Sequence, residues 1–282
     1  MTIKQQIEEA IANMTTKVGR DSKHIYRNNE TGDMLQGVST VSSIVPKDWL
    51  AAWGAKEAVK ALGYSDYTDY EIAQEVWQKI KDCKDVKDYV LILKEAKGAS
   101  TRKSKKAMVD GTQGHLWLED SVASRINDTM PTPKLPSDTL ERPISQFLEW
   151  EQANIDYWIA SEAIVCRPDK MYAGQLDAIA MLKTGELALI DFKFASNISE
   201  EYYLQTAGYA ACFEPYGIKF DKRIIIRLPK TLEKEEWDAK KFKYYKVPNN
   251  IEVKVVPTNY EQDVETFYSA LVVKKWINFA TK

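Results

Sequence analysis

The stretch Gly174–Tyr209, GQLDAIAMLKTGELALIDFKFASNISEEYYLQTAGY, decides the fold predicted for this chain. It predicts a strand, a tight turn, a second strand and then a helix. Along the second strand, residues 187, 189, 191 and 193 fall on one face and residues 188, 190, 192 and 194 on the other. Because both faces are mostly apolar, we expect the strand to be covered on both sides. Asp191 and Lys193 then interrupt an otherwise buried face.

The turn between the two strands sets their register. Lys183–Gly185 fits a three-residue hairpin loop whose glycine can take a positive φ. With this loop Leu182 pairs with Glu186, and the same register sets Asp177 opposite Asp191. Directly opposed residues on one face have Cβ atoms about 4.5–5.5 Å apart. Two buried carboxylates at that distance repel each other, and a divalent cation would relieve the conflict. Oxygen ligands suit Mg²⁺ or Mn²⁺.

The spacing Asp177-x(13)-Asp191-x-Lys193 resembles that of the PD-(D/E)XK nuclease superfamily, in its RecB-like, phage-type exonuclease branch. Gln205 and Tyr209 resemble the Q-x-x-x-Y helix motif of that branch. The resemblance covers about residues 105–280. It implies an α/β fold with a restriction-endonuclease-like core, in which helices flank a mixed central sheet in the order αβββαβ.

The resemblance also implies a function, which is divalent-metal-dependent hydrolysis of DNA from ends or along single strands. The metal, one or two Mg²⁺ or Mn²⁺ ions, would be held by Asp177, Asp191 and the backbone carbonyl of Phe192. Lys193 would orient or help to deprotonate the attacking water, and we expect its pKa to be lowered by apolar surroundings and the nearby metal. Catalytic roles are implied for Asp177, Asp191, Lys193, Gln205 and Tyr209.

A second motif lies in a helix predicted from Gly111 to Ile126. Its apolar stripe is continued by His115 and Glu119, one turn apart. The pattern G-T-x-x-H-x-x-x-E is similar to the one with which RecB-like nucleases, and mitochondrial genome-maintenance exonucleases, supply a metal-binding histidine. The resemblance implies that His115 is a metal ligand and that Glu119 is a further ligand or its partner. A histidine that only packs in the core is the alternative.

The first part of the chain predicts a helical insertion. Helices are expected over Asp48–Leu62, Asp69–Lys81 and Val86–Lys97. We expect residues 1–104 to form an N-terminal segment and helical cap packed on a nuclease core of residues 105–282, and a separate helical interaction domain is the alternative. Short strands are predicted at His24–Tyr26 and Gly37–Val45. The segment around Ser39 resembles the one that opens phage-type members, which implies a place near the substrate.

Two basic segments are candidates for contact with nucleic acid. The first, residues 94–106, contains Arg102, Lys103, Lys105 and Lys106. The second, Lys240–Lys246, mixes lysines with aromatic rings that can stack on bases. A solvated face is the alternative for each of them. The net charge of −2 does not by itself indicate a nucleic-acid-binding protein.

The remaining elements complete the predicted core. Residues 131–143 are expected to be a loop, 144–154 a helix, 160–166 a strand, 223–228 and 251–256 strands, and 260–280 a helix. Glu162, in the strand before the hairpin, matches an acidic residue common in the family, with a structural or a direct role. Asn197–Glu200 resembles a capping box that begins the helix carrying Gln205.

Composition limits the remaining choices. A 282-residue chain that is 44% apolar and 28% charged fits one large domain or two small ones. It has no apolar run of about 18 residues and no apolar signal-peptide core at its N-terminus. We therefore expect a cytoplasmic protein that does not span or bind a membrane. Three widely spaced cysteines argue against an iron–sulfur cluster. No P-loop is present, so a helicase or recombination protein would act in trans.

Two other interpretations remain open. The chain could be a catalytically silent nuclease-fold protein that binds nucleic acid in recombination or inhibition, although its matching positions hold chemically competent residues. It could also be an unrelated α/β protein with a structural Asp–Lys ion pair.

Overall fold

The computed structural model describes residues 1–64, 70–129, 138–238 and 243–280. The chain divides into two compact units, one formed by Met1–Val45 with Gly111–Lys282 and the other by Pro46–Asp110. The predicted division had one boundary, between residues 104 and 105. The observed smaller unit instead begins at Pro46 and ends at Asp110, and residues 1–45 belong to the same unit as the sheet. No helix in the described residues is both long enough and apolar enough to cross a membrane.

The larger unit contains both helices and strands, which come from its two chain segments, Met1–Val45 and Gly111–Lys282. Its helices are α1 (Ile3–Lys17), α2 (Val38–Ser42), the second part of α6 (Ala99–Ile126), α7 (Asp138–Asn154), α8 (Glu200–Ala211) and α9 (Tyr260–Ala280). Its strands are β1 (Val18–Arg20), β2 (Tyr26–Asn28), β3 (Met34–Gly37), β4 (Ile155–Arg167), β5 (Tyr172–Leu182), β6 (Leu187–Phe194), β7 (Lys222–Leu228), β8 (Glu233–Asp238), β9 (Lys243–Pro248) and β10 (Glu252–Val255).

The smaller unit is helical, as predicted. It contains α3 (Trp49–Ala61), α4 (Tyr70–Lys81), α5 (Val86–Lys97) and the first part of α6. The predicted first residue of α4, Asp69, lies outside the described residues. Asp85 caps α5 by accepting hydrogen bonds from the N–H groups of Lys87 and Asp88, as expected for an aspartate in front of a helix.

A mixed sheet is the centre of the larger unit. Its strands lie in the order β1-β2-β3-β5-β6-β7-β10, and β4 pairs with the other edge of β5. The pairs β3–β5 and β6–β7 are parallel, and the other pairs are antiparallel. Side chains from α1, α2, α8 and α9 form one hydrophobic core with the sheet, and side chains from α6 and α7 form a second. The protein is therefore an α/β protein whose mixed central sheet is flanked by helices.

Both faces of β6 are buried, as its sequence predicts. Leu187 and Leu189 belong to the first core, whereas Ala188, Ile190 and Phe192 belong to the second. This alternation is the two-residue period of a strand.

The predicted β5–β6 hairpin is confirmed. The N–H of Leu182 donates to the carbonyl of Glu186 at 2.9 Å, and the N–H of Gly185 donates to the carbonyl of Leu182 at 2.8 Å. Gly185 has a φ of +82°, the left-handed conformation that a glycine adopts at little cost. The paired residues run from Met181 and Leu187 to Ala178 and Ile190. Asp177 and Asp191 come next in this register.

Several predicted boundaries were wrong. The strand predicted at His24–Tyr26 is instead β2, Tyr26–Asn28, and His24 lies in the turn before it. Gly37–Val45 is not a strand, because β3 ends at Gly37 and α2 follows it. α6 begins at Ala99 rather than at Gly111. The cap of α8 is Ser199, which accepts a hydrogen bond from the N–H of Glu201, rather than Asn197.

The predicted loop at residues 131–143 was wrong from residue 138 onward, and its residues 131–137 lie outside the described residues. α7 begins at Asp138 and contains Pro143. Leu140, Ile144 and Phe147, which lie three or four residues apart, are almost fully buried. The free energy gained by burying this apolar stripe of the helix outweighs the cost of the backbone hydrogen bond that a proline cannot donate.

Candidate active site

The candidate site lies where the sheet forks. β3 pairs with Tyr172 and Ala173 at the start of β5, whereas β6 pairs with β5 from Ala178 onward. Because β4 occupies one edge of β5 along its whole length, β3 and β6 share the other edge. The intervening residues, Gly174 to Asp177, pair with neither of them. A cleft opens at this fork.

The cleft has a volume of about 740 Å³. It brings together residues that are far apart in the sequence. Of the predicted site residues, the following line it: Ser39, His115, Asp177, Lys193, Gln205 and Tyr209. A concave cleft with convergent polar groups is the usual form of a substrate site.

Asp191 and Lys193 form a buried ion pair beside this cleft. Lys193 Nζ lies 2.6 Å from Oδ2 of Asp191, and the two side chains are 14% and 1% exposed. Neither carboxylate oxygen of Asp191 has a partner with hydrogen-bond geometry among the described residues, so the contact with Lys193 is that of an ion pair. Lys193 Nζ also lies 5.1 Å from the ring centre of Tyr202. A buried carboxylate with unused acceptor capacity is costly and favours a further cation or donor.

Asp177 reaches across to the next strand. Its Oδ2 accepts a hydrogen bond of 2.7 Å from the backbone N–H of Phe192. Burial raises the pKa of Asp177, with Lys193 and this hydrogen bond opposing the shift. The pKa of Asp191 is raised to about 7, mainly by burial. The positive charge of Lys193 opposes this shift, and the negative charge of Asp177 adds to it. Burial therefore disfavours the charged form of both carboxylates, and repulsion from Asp177 adds to this effect at Asp191.

The protein surroundings alone shift the pKa of Lys193 in the direction opposite to the lowering expected with a metal nearby. Burial by itself would lower this pKa, but the carboxylates of Asp191 and Asp177 outweigh burial and raise it. Lys193 is therefore a protonated hydrogen-bond donor at neutral pH.

Glu162 extends the row of carboxylates to a third strand. The pairs Ser161–Ala178 and Ala163–Leu176 place Glu162 across from Asp177. Its φ of +49° is left-handed, which is uncommon for a residue other than glycine and costs on the order of 1 kcal/mol or more. Burial, followed by repulsion from Asp177 and Glu119, raises the pKa of Glu162 to about 8. A strained residue with a shifted pKa beside a cleft is typical of functional sites.

His115 lies on α6 against the end of β6. Its ring is 5.2 Å from the ring of Phe194 in a T-shaped contact. Burial, with the positive charges of Lys193 and Lys230, lowers the pKa of His115 to about 4. Its imidazole is therefore neutral at physiological pH and has a nitrogen lone pair available.

Glu119 follows His115 on α6 and is half-buried. Burial is the largest cause that raises its pKa. It is not among the residues that line the cleft. Phe192 takes part through its N–H and through a ring that packs on Phe147, and the implied role of its carbonyl stays a prediction.

Gly114 explains why α6 can bring His115 so close to β6. A Cβ atom at this position would lie 2.3 Å from Cζ of Phe194, so a larger residue would push the helix away from the strand. We expect Gly114→Ala to lower the melting temperature, because overpacking costs about 1–3 kcal/mol and outweighs the gain in helix propensity of about 1 kcal/mol.

Gly111→Ala is the matched control for thermal unfolding by circular dichroism. Gly111 lies in the same helix, and a Cβ there would meet mainly the flexible end of Lys230, at 3.0 Å. We expect it to leave the melting temperature unchanged or to raise it. Equal losses in the two variants would contradict this account of Gly114.

Gln205 and Tyr209 lie one turn apart on α8, as predicted. Nε2 of Gln205 donates to the hydroxyl oxygen of Tyr209 at 3.1 Å, and both side chains are buried. A Cβ on Gly174 would lie 2.6 Å from Cε1 of Tyr209, so this glycine allows the tyrosine to pack directly on β5. Burial, together with the charges of Asp177 and Asp191, raises the pKa of Tyr209.

The first basic segment belongs to the smaller unit. Arg102 donates to the carbonyl of Glu95, and Lys103 forms an ion pair of 2.8 Å with Glu57. Lys105 and Lys106 are exposed. In the second basic segment, residues 239–242 lie outside the described residues and Lys243–Pro248 forms β9.

Residues from the N-terminal segment complete the cleft, and the sequence did not single them out. Arg20 lines it from the end of β1, Lys23 and His24 from the turn that follows, and Asn278 from the end of α9. Only the basic character of residues 20–24 gave a local signal.

Comparisons with known proteins assign no family to the chain. No protein-family model and no curated protein matches it. One solved structure that matches, titled "Crystal structure of SSO0001", has a TM-score of 0.26 and 11% sequence identity over 80% of this chain and 87% of that chain. At this TM-score the likeness supports no statement about fold or function.

The residues at the fork fit a divalent cation in their chemistry. Asp191 offers buried oxygens without a hydrogen-bond donor, Asp177 is a second carboxylate, and His115 is a neutral imidazole. The carboxylate oxygens are ligands that Mg²⁺ and Mn²⁺ prefer, whereas an imidazole is more typical of Zn²⁺ or Fe²⁺ sites. Among the described residues, however, no three His, Cys, Asp or Glu side chains form a group ready to hold a metal ion.

Proposed function

We propose that this protein is a divalent-metal-dependent DNA exonuclease that hydrolyses phosphodiester bonds at DNA ends or along single strands. Its core would be restriction-endonuclease-like, since the order α6, β4, β5, β6, α8, β7 follows αβββαβ with α7 inserted after the first helix. The observation that carries the proposal is the buried Asp191 at the fork of the sheet, whose oxygens have no hydrogen bond of normal geometry among the described residues and are compensated only by the ion pair with Lys193.

Asp177, Asp191, His115 and the carbonyl of Phe192 would hold one or two Mg²⁺ or Mn²⁺ ions. Such an ion supplies Lewis-acid stabilisation of charge on phosphate oxygens and a lowered pKa for a bound water. Burial of the carboxylates strengthens their attraction for a cation, because the effective dielectric constant is lower inside the protein than in water.

Lys193 has the role of a donor in this proposal. Its ammonium, held between the carboxylates and the ring of Tyr202, would hydrogen-bond to the attacking water and offset negative charge on the phosphate. Tyr209, kept protonated by burial, would keep Gln205 and the floor of the cleft in position. Glu162, whose pKa is raised to about 8, would be mostly protonated at neutral pH and could donate a hydrogen bond beside the same row.

A binding role without cleavage is the second candidate. Two observations favour it. Lys193 already forms an ion pair with the carboxylate of Asp191. Among the described residues, no three metal-binding side chains form a group ready to hold an ion. A recombination or inhibitory protein would use the cleft to hold nucleic acid.

Cleavage of end-labelled DNA separates the two candidates. Single- and double-stranded DNA labelled at the 5′ or the 3′ end is incubated with Mg²⁺, Mn²⁺ or excess EDTA. We expect metal-dependent shortening from one end that EDTA abolishes and added Mg²⁺ restores. DNA that is bound but left intact with both metals would support the binding role instead.

A further inference from the structure

The turn between β1 and β2 adds positive charge to the cleft. We propose that Arg20 and Lys23 bind a phosphate group of the substrate strand there, an inference that rests on the proposed nuclease function. The charged side chains lining the cleft are the cations of Arg20, Lys23 and Lys193 and the carboxylate of Asp177. Lys193 is paired with Asp191 beside the cleft. Arg20 and Lys23 are therefore the cations of the lining that can meet a phosphate group. A phosphodiester strand is the ligand class that such a lining attracts.

The turn is held in one shape by Asp21. Its Oδ1 accepts hydrogen bonds from the N–H groups of Lys23 at 2.8 Å and Ile25 at 2.9 Å. The N–H of His24 donates to the carbonyl of Asp21 at 3.0 Å, and His24 has a left-handed φ of 59°. Aspartate commonly fixes tight turns in this way. The positions of Arg20 and Lys23 are therefore set before a ligand arrives, which lowers the entropic cost of binding.

Arg20 has an unused donor at the site. Its Nη2 contacts Nδ1 of His24, but its Nε is buried and has no hydrogen-bond acceptor among the described residues. Leaving a buried N–H without an acceptor costs about 1–3 kcal/mol. A phosphate oxygen is the acceptor that suits a guanidinium group.

Lys23 is the exposed member of the pair. It lines the cleft, is exposed, and forms no ion pair with any residue that the structure describes. By contrast, Lys103 in the smaller unit is engaged by Glu57. The Lys23 ammonium is therefore available to a strand that enters the cleft.

The salt dependence of DNA binding tests this inference. The dissociation constant for a short single-stranded oligonucleotide is measured by fluorescence anisotropy in EDTA, at salt concentrations from 50 to 200 mM. The logarithm of the association constant falls linearly with the logarithm of the salt concentration. Each lost phosphate contact makes this negative slope less steep by about 0.7 for a single strand. We expect this shallower slope, with weaker binding, in Lys23→Ala and in Arg20→Gln.

The controls are Lys219→Ala and Arg27→Gln. Both side chains are exposed and neither lines the cleft, so we expect the wild-type slope from them. Lys23 is exposed, so its removal reports on the contact even if Arg20→Gln fails to fold. Wild-type slopes in Lys23→Ala, with DNA cleavage by the wild type intact, would overturn the phosphate contact alone. Neither binding nor cleavage of DNA by the wild type would overturn this inference and the proposed function together.

Discussion

Lys193→Ala is expected to lower the rate of DNA cleavage by about 100- to 10,000-fold, the range that a positioned proton donor or acceptor contributes. The variant removes the cation that lies 2.6 Å from Asp191. It also removes the donor closest to the buried carboxylates at the fork. The measurement is the single-turnover rate on end-labelled DNA with Mg²⁺.

Lys222→Ala is the matched control for this variant. Lys222 also lies 2.6 Å from a carboxylate, that of Glu186, but this pair is about one-third exposed and lies outside the cleft. We expect a wild-type cleavage rate from it. A Lys193→Ala protein that is folded and cleaves as fast as the Lys222→Ala protein would remove Lys193 from the chemistry.

Asp263→Ala is expected to lower the free energy of unfolding by about 3–5 kcal/mol, the cost of breaking a buried ion pair from one side. Oδ2 of Asp263 lies 2.6 Å from Nη2 of Arg223, and both residues are less than a tenth exposed. Arg223 also donates to the carbonyls of Tyr203 and Thr258. The pair thus ties β7 to α8 and α9, and its loss leaves a guanidinium buried without its counter-ion.

Chemical denaturation at 25 °C measures this loss, and Glu8→Ala is the control. Glu8 forms an ion pair of 3.9 Å with Lys4 on the surface of α1, where both side chains are about half exposed. An exposed pair of this kind contributes about 0.3–0.5 kcal/mol. If Asp263→Ala costs no more than Glu8→Ala, the buried pair does not stabilise the fold as described.

Local patterns in the sequence predicted the centre of the sheet. The two-residue period of Leu187–Phe194 gave the two buried faces of β6, and the loop before it gave the hairpin and its register. Helix α9 was also predicted with its observed bounds, Tyr260–Ala280. Such elements are specified by neighbouring residues, so a single sequence is enough to predict them.

The fork of the sheet was not predictable in the same way. Gln36 and Gly37 pair in parallel with Tyr172 and Ala173, more than a hundred residues along the chain. No local pattern encodes such a pairing. The contribution of Arg20 and Lys23 to the cleft depends on the same long-range pairing. The shifted pKa of Lys193 likewise depends on which carboxylates fold around it.

The central claim is that the carboxylates at the fork catalyse metal-dependent cleavage of DNA, and Asp191→Asn tests it most directly. The amide keeps the shape of the side chain but removes the charge that a cation would need. DNA cleavage with Mg²⁺ and Mn²⁺ is measured for the wild type and the variant, after circular dichroism has shown that both are folded. We predict cleavage by the wild type and none measurable from the variant. An Asp191→Asn protein that cleaves at the wild-type rate would contradict the claim.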